Sequence, residues 1–194
     1  MLIATTNPQK VKEILAVLDG LPITLKTLND FSHVEPPDET GSAFEENARA
    51  KARAYAQATG CVALAEDSGF EVDALDGEPG IHSARYLRPG ASYPERFEEI
   101  YRRLRERNAS NDTARFICAL ALAEGGTIVF ETTGIVEGRL ALAPAGSGGF
   151  GYDPILYYPP YQKTFGEVSP EQKAAVSHRG KALRAFRAYL ERTL

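Results

Sequence analysis

Cysteine is scarce in this chain, long apolar runs are missing, and no excess of positive charge is present. Cys61 and Cys118 are the only cysteines among 194 residues, and each sits in an apolar run (61–64 and 116–120). They read as buried thiols in a reducing compartment, which excludes a disulfide framework and gives no support to a metal–thiolate site. No run approaches the ~18 apolar residues of a membrane span, and Met1-Leu2-Ile3-Ala4-Thr5-Thr6 reads as too short an apolar run for a signal h-region. A cytoplasmic protein with no membrane partner is expected. The formal net charge of −4 gives no bulk attraction to nucleic acid. Any polyanion must therefore be met by a local basic cluster, and a small phosphorylated ligand suits that better than a duplex. Phosphate-loop templates are missing too. The turn from Gly146 to Gly151 lacks the Gly-Lys-Ser/Thr ending of a Walker A loop, and it leads into Tyr152-Asp153-Pro154 rather than the helix of a Rossmann fingerprint.

What is present begins with Glu66-Asp67-Ser68-Gly69, reached from the apolar run 61–64. Read as a strand that breaks at glycine, it places adjacent carboxylates on opposite faces, one turned into a site and one beside it. Asp67 is the better candidate. A hard cation such as Mg²⁺ needs only one or two protein carboxylates, because water and phosphate oxygens fill its other positions. Asp, Ser and Gly are equally the residues of a solvated turn. Upstream, Asn7 and Pro8 suit the N-cap and first residue of a helix carrying Val11, Ile14, Leu15 and Leu18. Such an N-terminus attracts anions, and Lys10 adds charge one turn in.

Ser42 and Glu45 form an expected capping box, opening a helix that stops at Gly60. Phe44, Ala48, Ala52 and Tyr55 make its apolar stripe, and Asn47 and Lys51, four apart, share a neighbouring face. A third helix is expected from Ser92 to about Asn108, its arginines balanced by glutamates. Residues 113–123 and 127–140 read as strands joined at Gly125-Gly126. Ser169 to Gln172 forms another capping box, opening a terminal helical region with Lys173, His178 and Arg179. The aromatics Phe150 and Tyr152 suit stacking on a base, and the cations Lys173, His178 and Arg179 suit phosphate or base oxygens. With 43% hydrophobic and 25% charged residues, the chain is expected to form one α/β domain over residues 1–194, on a mixed sheet.

Six blocks then occur in a fixed order: Thr5-Thr6-Asn7-Pro8-Gln9-Lys10; Glu39-Thr40-Gly41 leading to Phe44-Glu45-Glu46-Asn47-Ala48 and Lys51-Ala52; Glu66-Asp67-Ser68-Gly69; Pro79 to Tyr86; Gly149 to Pro154; and Ser177-His178-Arg179-Gly180-Lys181. In this order the chain resembles the inosine/xanthosine triphosphate pyrophosphatases over essentially its whole length. The resemblance implies Mg²⁺-dependent hydrolysis of ITP, dITP or XTP to the monophosphate and pyrophosphate. It also implies an elongated mixed sheet flanked by helices, with two lobes around a central cleft, and a homodimer. By the same resemblance Asp67 is the metal-associated general base and Glu39 a metal ligand, with Asp38 the alternative. Thr5, Thr6, Asn7, Pro8, Gln9, Lys10, Asn47, Lys51 and Ser68 hold the triphosphate and metal. Phe150, Gly151, Tyr152, Asp153, Lys173, His178 and Arg179 hold base and sugar. Two positions depart from many bacterial members: Thr6 replaces a glycine, narrowing the turn where backbone approaches phosphate, and Glu66 replaces an aspartate with its charge kept. A modified-pyrimidine nucleotide hydrolase and an RNA-binding module are the rival readings. The 177–179 block argues against the first, and the net charge and lack of an RNA-binding motif against the second.

Overall fold

The computed structural model describes residues 1–31 and 34–194. Among them seven strands form one mixed sheet: β1 (Leu2–Ile3), β2 (Lys26–Thr27), β3 (Ala63–Val72), β4 (Thr113–Glu124), β5 (Thr127–Leu140), β6 (Leu156–Tyr158) and β7 (Lys163–Thr164), in the order β2-β1-β3-β4-β5-β6-β7. β1 pairs in parallel with β2 and β3, whereas β6 pairs antiparallel with β5 and β7. The glycine pair 125–126 joins β4 to β5, as the sequence predicts. The helices are α1 (Pro8–Leu18), α2 (Phe44–Thr59), α3 (Tyr93–Glu106), α4 (Pro170–Val176) and α5 (His178–Thr193). The expected terminal helical region is thus two helices, parted at Ser177, whose extended backbone is the C-cap of α4.

The chain divides into two compact units, 1–67 with 118–134 and 178–194, and 68–117 with 135–177. Each has its own core. In the first, Ile14 and Leu18 of α1 and Leu183, Phe186 and Leu190 of α5 pack with Ile3, Leu64, Cys118, Leu120 and Leu122 of the sheet. Their spacing of three and four along each helix is what turns one stripe inward. In the second, Phe97 and Ile100 of α3 pack with Phe70, Val72, Phe116, Tyr152, Ile155 and Phe165.

Local signals in the sequence set most boundaries. Asn7 caps α1 by accepting from the N–H groups of Gln9 and Lys10, Gly60 closes α2 in a left-handed conformation, and Ser92 with Glu95 boxes the start of α3. Three expectations fail. β3 does not break at Gly69, because Phe70 and Val72 belong to the second core and carry the strand on to residue 72. The N-cap of α2 is Ala43, which makes no side-chain bond; Ser42 instead gives its N–H (2.8 Å) and Oγ–H (3.0 Å) to Glu46, while Glu45 accepts from Thr133. Cys61 is half-buried, lying just past the Gly60 stop, and only Cys118 is fully buried.

Candidate functional site

The alternation of β3 turns Glu66 and Asp67 to opposite faces, and the two acids meet different partners. Asp67 accepts from Asn47 Nδ2 at 3.0 Å on one oxygen and from Lys51 Nζ at 2.8 Å on the other. Lys51 Nζ also lies 2.8 Å from Glu39 Oε1. Asn47 and Lys51 reach one carboxylate because four helical residues make about one turn. The amide of Asn47 is oriented by its other partner, since its oxygen accepts the Gly41 N–H at 2.9 Å. A Cβ on Gly41 would lie 2.6 Å from that oxygen, so this approach needs glycine. Burial pushes the Lys51 ammonium down, but Asp67 and Glu39 outweigh it and hold the group above its ordinary value. Of the two acids considered as second ligand, Glu39 joins this cluster. Asp38 lines a separate hollow with Asp30, Glu35, Pro36 and Pro37.

Glu66 is 4% exposed. Arg179 grips it with two bonds, Nε at 2.7 Å and Nη2 at 3.0 Å, and Lys10 Nζ lies 2.8 Å away. The third donor of Arg179 goes to Glu13 at 2.8 Å, and the Cys118 thiol donates to Glu66 at 3.4 Å. Burial pushes the Glu66 carboxyl up, yet Arg179 and Lys10 win and leave it well below the usual range; burial and the neighbouring Glu66 push the Cys118 thiol well up. Glu13 carries no sequence-level assignment. Its signal was its place three residues after Lys10, on the same side of α1.

At the start of α1, Thr5 Oγ1 accepts the Asn7 N–H at 3.2 Å, and Asn7 Oδ1 accepts from Gln9 and Lys10 at 3.0 and 3.3 Å. The donors expected to face an anion are therefore met by the cap itself. Thr6, Pro8 and Gln9 are exposed around it, and Ser68 is half-buried on β3.

In the second unit Asp153, 1% exposed, ties its turn together. One of its oxygens accepts the Phe150 N–H at 2.7 Å and Lys173 Nζ at 2.6 Å, and the same ammonium lies 4.4 Å from the centre of the Phe150 ring. Gly149 has φ +69°, and a Cβ there would lie 2.1 Å from the same Asp153 oxygen. Gly151 follows Phe150 with φ +69° as well. Tyr152 is not a base-stacking residue on this geometry. Its ring is 3% exposed, stacks on Phe70 with centroids 5.1 Å apart, and its hydroxyl donates to the Ser83 carbonyl at 2.9 Å. A tyrosine that satisfies its hydroxyl inside an aromatic cluster gains most by staying there. Ser83, part of the 79–86 block, also accepts from Arg96 at 3.0 Å, which makes it the anchor that sequence reasoning missed.

The cationic trio is divided. Lys173 belongs with Asp153, whereas His178 and Arg179 open α5, both buried. A buried guanidinium must find carboxylates, and for Arg179 these are Glu66 and Glu13.

Among the described residues no three His, Cys, Asp or Glu side chains are grouped to hold a metal ion. Glu39 and Asp67 nevertheless place carboxylate oxygens 2.8 Å from one point, already taken by the Lys51 ammonium. Two hard oxygen ligands already gathered around one cation are a donor set that fits magnesium, whose remaining positions go to water and phosphate.

A sequence model of the Ham1 family matches residues 1–189. The dITP/XTP pyrophosphatase of Thermus thermophilus is 48% identical over 190 residues, covering 96% of this chain and 89% of that protein. Its counterpart from an Exiguobacterium species is 44% identical over 188 residues, covering 97% and 95%. The solved structure of a HAM1 protein from Coxiella burnetii matches with a TM-score of 0.93 at 39% identity, covering 98% of each chain.

Proposed function

The chain belongs to the Ham1 family, and we propose on that premise that it hydrolyses ITP, dITP and XTP to the monophosphate and pyrophosphate, clearing deaminated purines from the nucleotide pool. The observation that carries this reading is Asp67, its two oxygens held by Asn47 and Lys51 with Glu39 alongside. Hydrolysis of a phosphoanhydride needs an activated water and neutralisation of the phosphate oxygens, and no covalent intermediate. Asp67 takes the proton of the attacking water, and Asn47 keeps that carboxylate aimed. Lys51 meets the charge of the phosphate chain, with Ser68 and the side chains of the Thr5 to Lys10 turn, where the cap already meets the N–H groups of Asn7, Gln9 and Lys10, as further phosphate contacts. Mg²⁺, held by Glu39 and Asp67, would supply the remaining charge neutralisation.

For the base we assign stacking to Phe150, sugar and base contacts to Gly151, Asp153 and Lys173, and recognition of the 6-oxo group to the His178–Arg179 turn. Hypoxanthine and xanthine present an acceptor at position 6 where adenine presents an amino donor. A donor fixed there rejects adenine, because a buried donor left unpaired costs about 1 to 3 kcal/mol. Arg179 also holds α5 to β3 through Glu66. Tyr152 supports the turn from below through Ser83.

We further propose that the chain works as one catalytic domain, in the cytoplasm, as a homodimer. Sequence composition supports the compartment, and no helix among the described residues is long and apolar enough to cross a membrane. Sedimentation tests the dimer.

The test of function is incubation with ITP, dITP, XTP, GTP and ATP, with and without Mg²⁺, scoring pyrophosphate against orthophosphate. Release of pyrophosphate and monophosphate from the deaminated substrates, dependent on Mg²⁺, is expected. Orthophosphate as the product, or equal rates on ATP, overturns it.

A further inference from the structure

Lys51 and a divalent cation have a claim on the same two carboxylates. Its ammonium lies 2.8 Å from Glu39 Oε1 and 2.8 Å from Asp67 Oδ1, at the point where a hard cation would take its protein ligands. The two cannot share it. Like charges a few Å apart repel strongly at the partly screened edge of a protein, and the pair of carboxylates cannot offer the same oxygens to both.

One partner can leave and the other cannot. Asp67 is fixed from its second oxygen by Asn47 at 3.0 Å, and Asn47 is fixed by the Gly41 N–H at 2.9 Å. Lys51 hangs from mid-helix on a flexible four-carbon stem and makes point-charge contacts, not a planar fork. A triphosphate offers that stem a new set of anionic oxygens.

We propose that Lys51 is a displaceable counter-ion: it neutralises Glu39 and Asp67 until a nucleotide triphosphate draws it off, so the divalent cation enters with the nucleotide and not ahead of it. This rests on the reading of Glu39 and Asp67 as the cation site of a nucleotide hydrolase. The selection it provides is of the metal–nucleotide complex over the bare metal ion. The protein then spends no time loaded with a cation and no substrate.

Manganese(II) is the probe, titrated onto the nucleotide-free full chain, with free Mn²⁺ read by its electron paramagnetic resonance signal. Lys51→Met and Lys51→Gln are expected to bind Mn²⁺ on the order of ten- to a hundredfold more tightly than the unaltered protein, because a pair of carboxylates loses its resident cation. Adding Glu39→Gln to Lys51→Met should remove the gain, which places it at this pair. Lys51→Arg keeps the charge and should bind no more tightly than the unaltered protein. Thermal melting establishes that each variant is folded. Folded Met and Gln variants that bind Mn²⁺ no more tightly overturn the proposal, and so does tightening in Lys51→Arg. The readout needs no turnover. A chain inert toward ITP that still shows the tightening would sink the functional reading and leave the competition standing, and an active chain without it would do the reverse.

Discussion

Replacing Glu66 by glutamine keeps the side chain's shape and deletes the negative charge at the centre of a buried network. Three bonds from Arg179 and Lys10 converge on this carboxylate, and Arg179 is 1% exposed. Removing one member of a buried ion pair costs about 3 to 5 kcal/mol, since the remaining charge is left uncompensated. Glu13 stays bonded to Arg179 and its side chain is 31% exposed, so the lower end applies, about 3 kcal/mol. For a chain of this size that lowers the melting temperature by roughly 6 to 12 °C. The pH dependence has a definite sign. Burial raises the Glu66 carboxyl, but Arg179 and Lys10 bring it well below its ordinary value in the fold. Its stabilisation is therefore complete above the unfolded value, about 4.3, and is lost as the pH falls through the folded value. The gap between protein and variant should be constant from neutral pH down to about 4.3 and narrow only in stronger acid. Urea unfolding and calorimetry at pH 7, repeated stepwise into acid, measure it. A loss below about 1 kcal/mol at neutral pH, or a gap that does not narrow in acid, would refute the assignment of Glu66 as the network's anchor.

Asp67→Asn should lower kcat by a factor on the order of 10² to 10⁴ with melting nearly unchanged; near-native turnover in the folded variant removes Asp67 from catalysis. Asp153→Asn strips Lys173 of its buried partner and loosens the turn bearing Phe150, so KM for ITP should rise more than kcat falls in steady-state assays. Tyr152→Phe deletes one hydroxyl bond to Ser83 and should cost about 1 kcal/mol in urea unfolding. It should leave the ITP-to-ATP ratio of kcat/KM alone, and a changed ratio would return the ring to the base. His178→Ala should narrow that ratio by about five- to a hundredfold; an unchanged ratio moves recognition of the 6-position elsewhere.

Elements whose signals are local were legible in the sequence. Asn7-Pro8, Gly60, Ser92, and Ser169 with Gln172 act within a turn of themselves, and each marks the helix end it promises. The long hairpin follows from a glycine pair between two strand-length runs. Helical spacing set Asn47 and Lys51 on one face and strand alternation set Asp67 apart from Glu66, while it was the family resemblance that implied the three share a site. Misreadings came where no period applies. Tyr152 lies in a glycine-rich turn, where sequence spacing does not say which side chain goes inward, so its chemistry suggested a site and its burial made it core. Arg179 and Glu66 are 113 positions apart, and nothing local announces that a cation at the start of one helix also binds an acid of a distant strand.

The adjacency of Glu66 and Asp67 now has a physical meaning that neither residue has alone. A strand has two faces, and consecutive acids on it serve two environments. On one face a carboxylate surrounded by Arg179 and Lys10 binds α1 and α5 to the sheet. On the other, a carboxylate that is itself buried is held by an amide and a lysine, the second of which a ligand can draw away. The stabilising acid fixes the strand at the residue before the reactive one, so the position of Asp67 is set through a single peptide bond by a carboxylate that Arg179 and Lys10 hold with three bonds. Glutamate at 66 suits that work, since its extra methylene over aspartate lengthens its reach toward Arg179 without moving the backbone of Asp67. Asp67 variants should therefore lose catalysis with little loss of stability, whereas Glu66 variants should lose stability first and, through Lys10 and Arg179, substrate contacts as well.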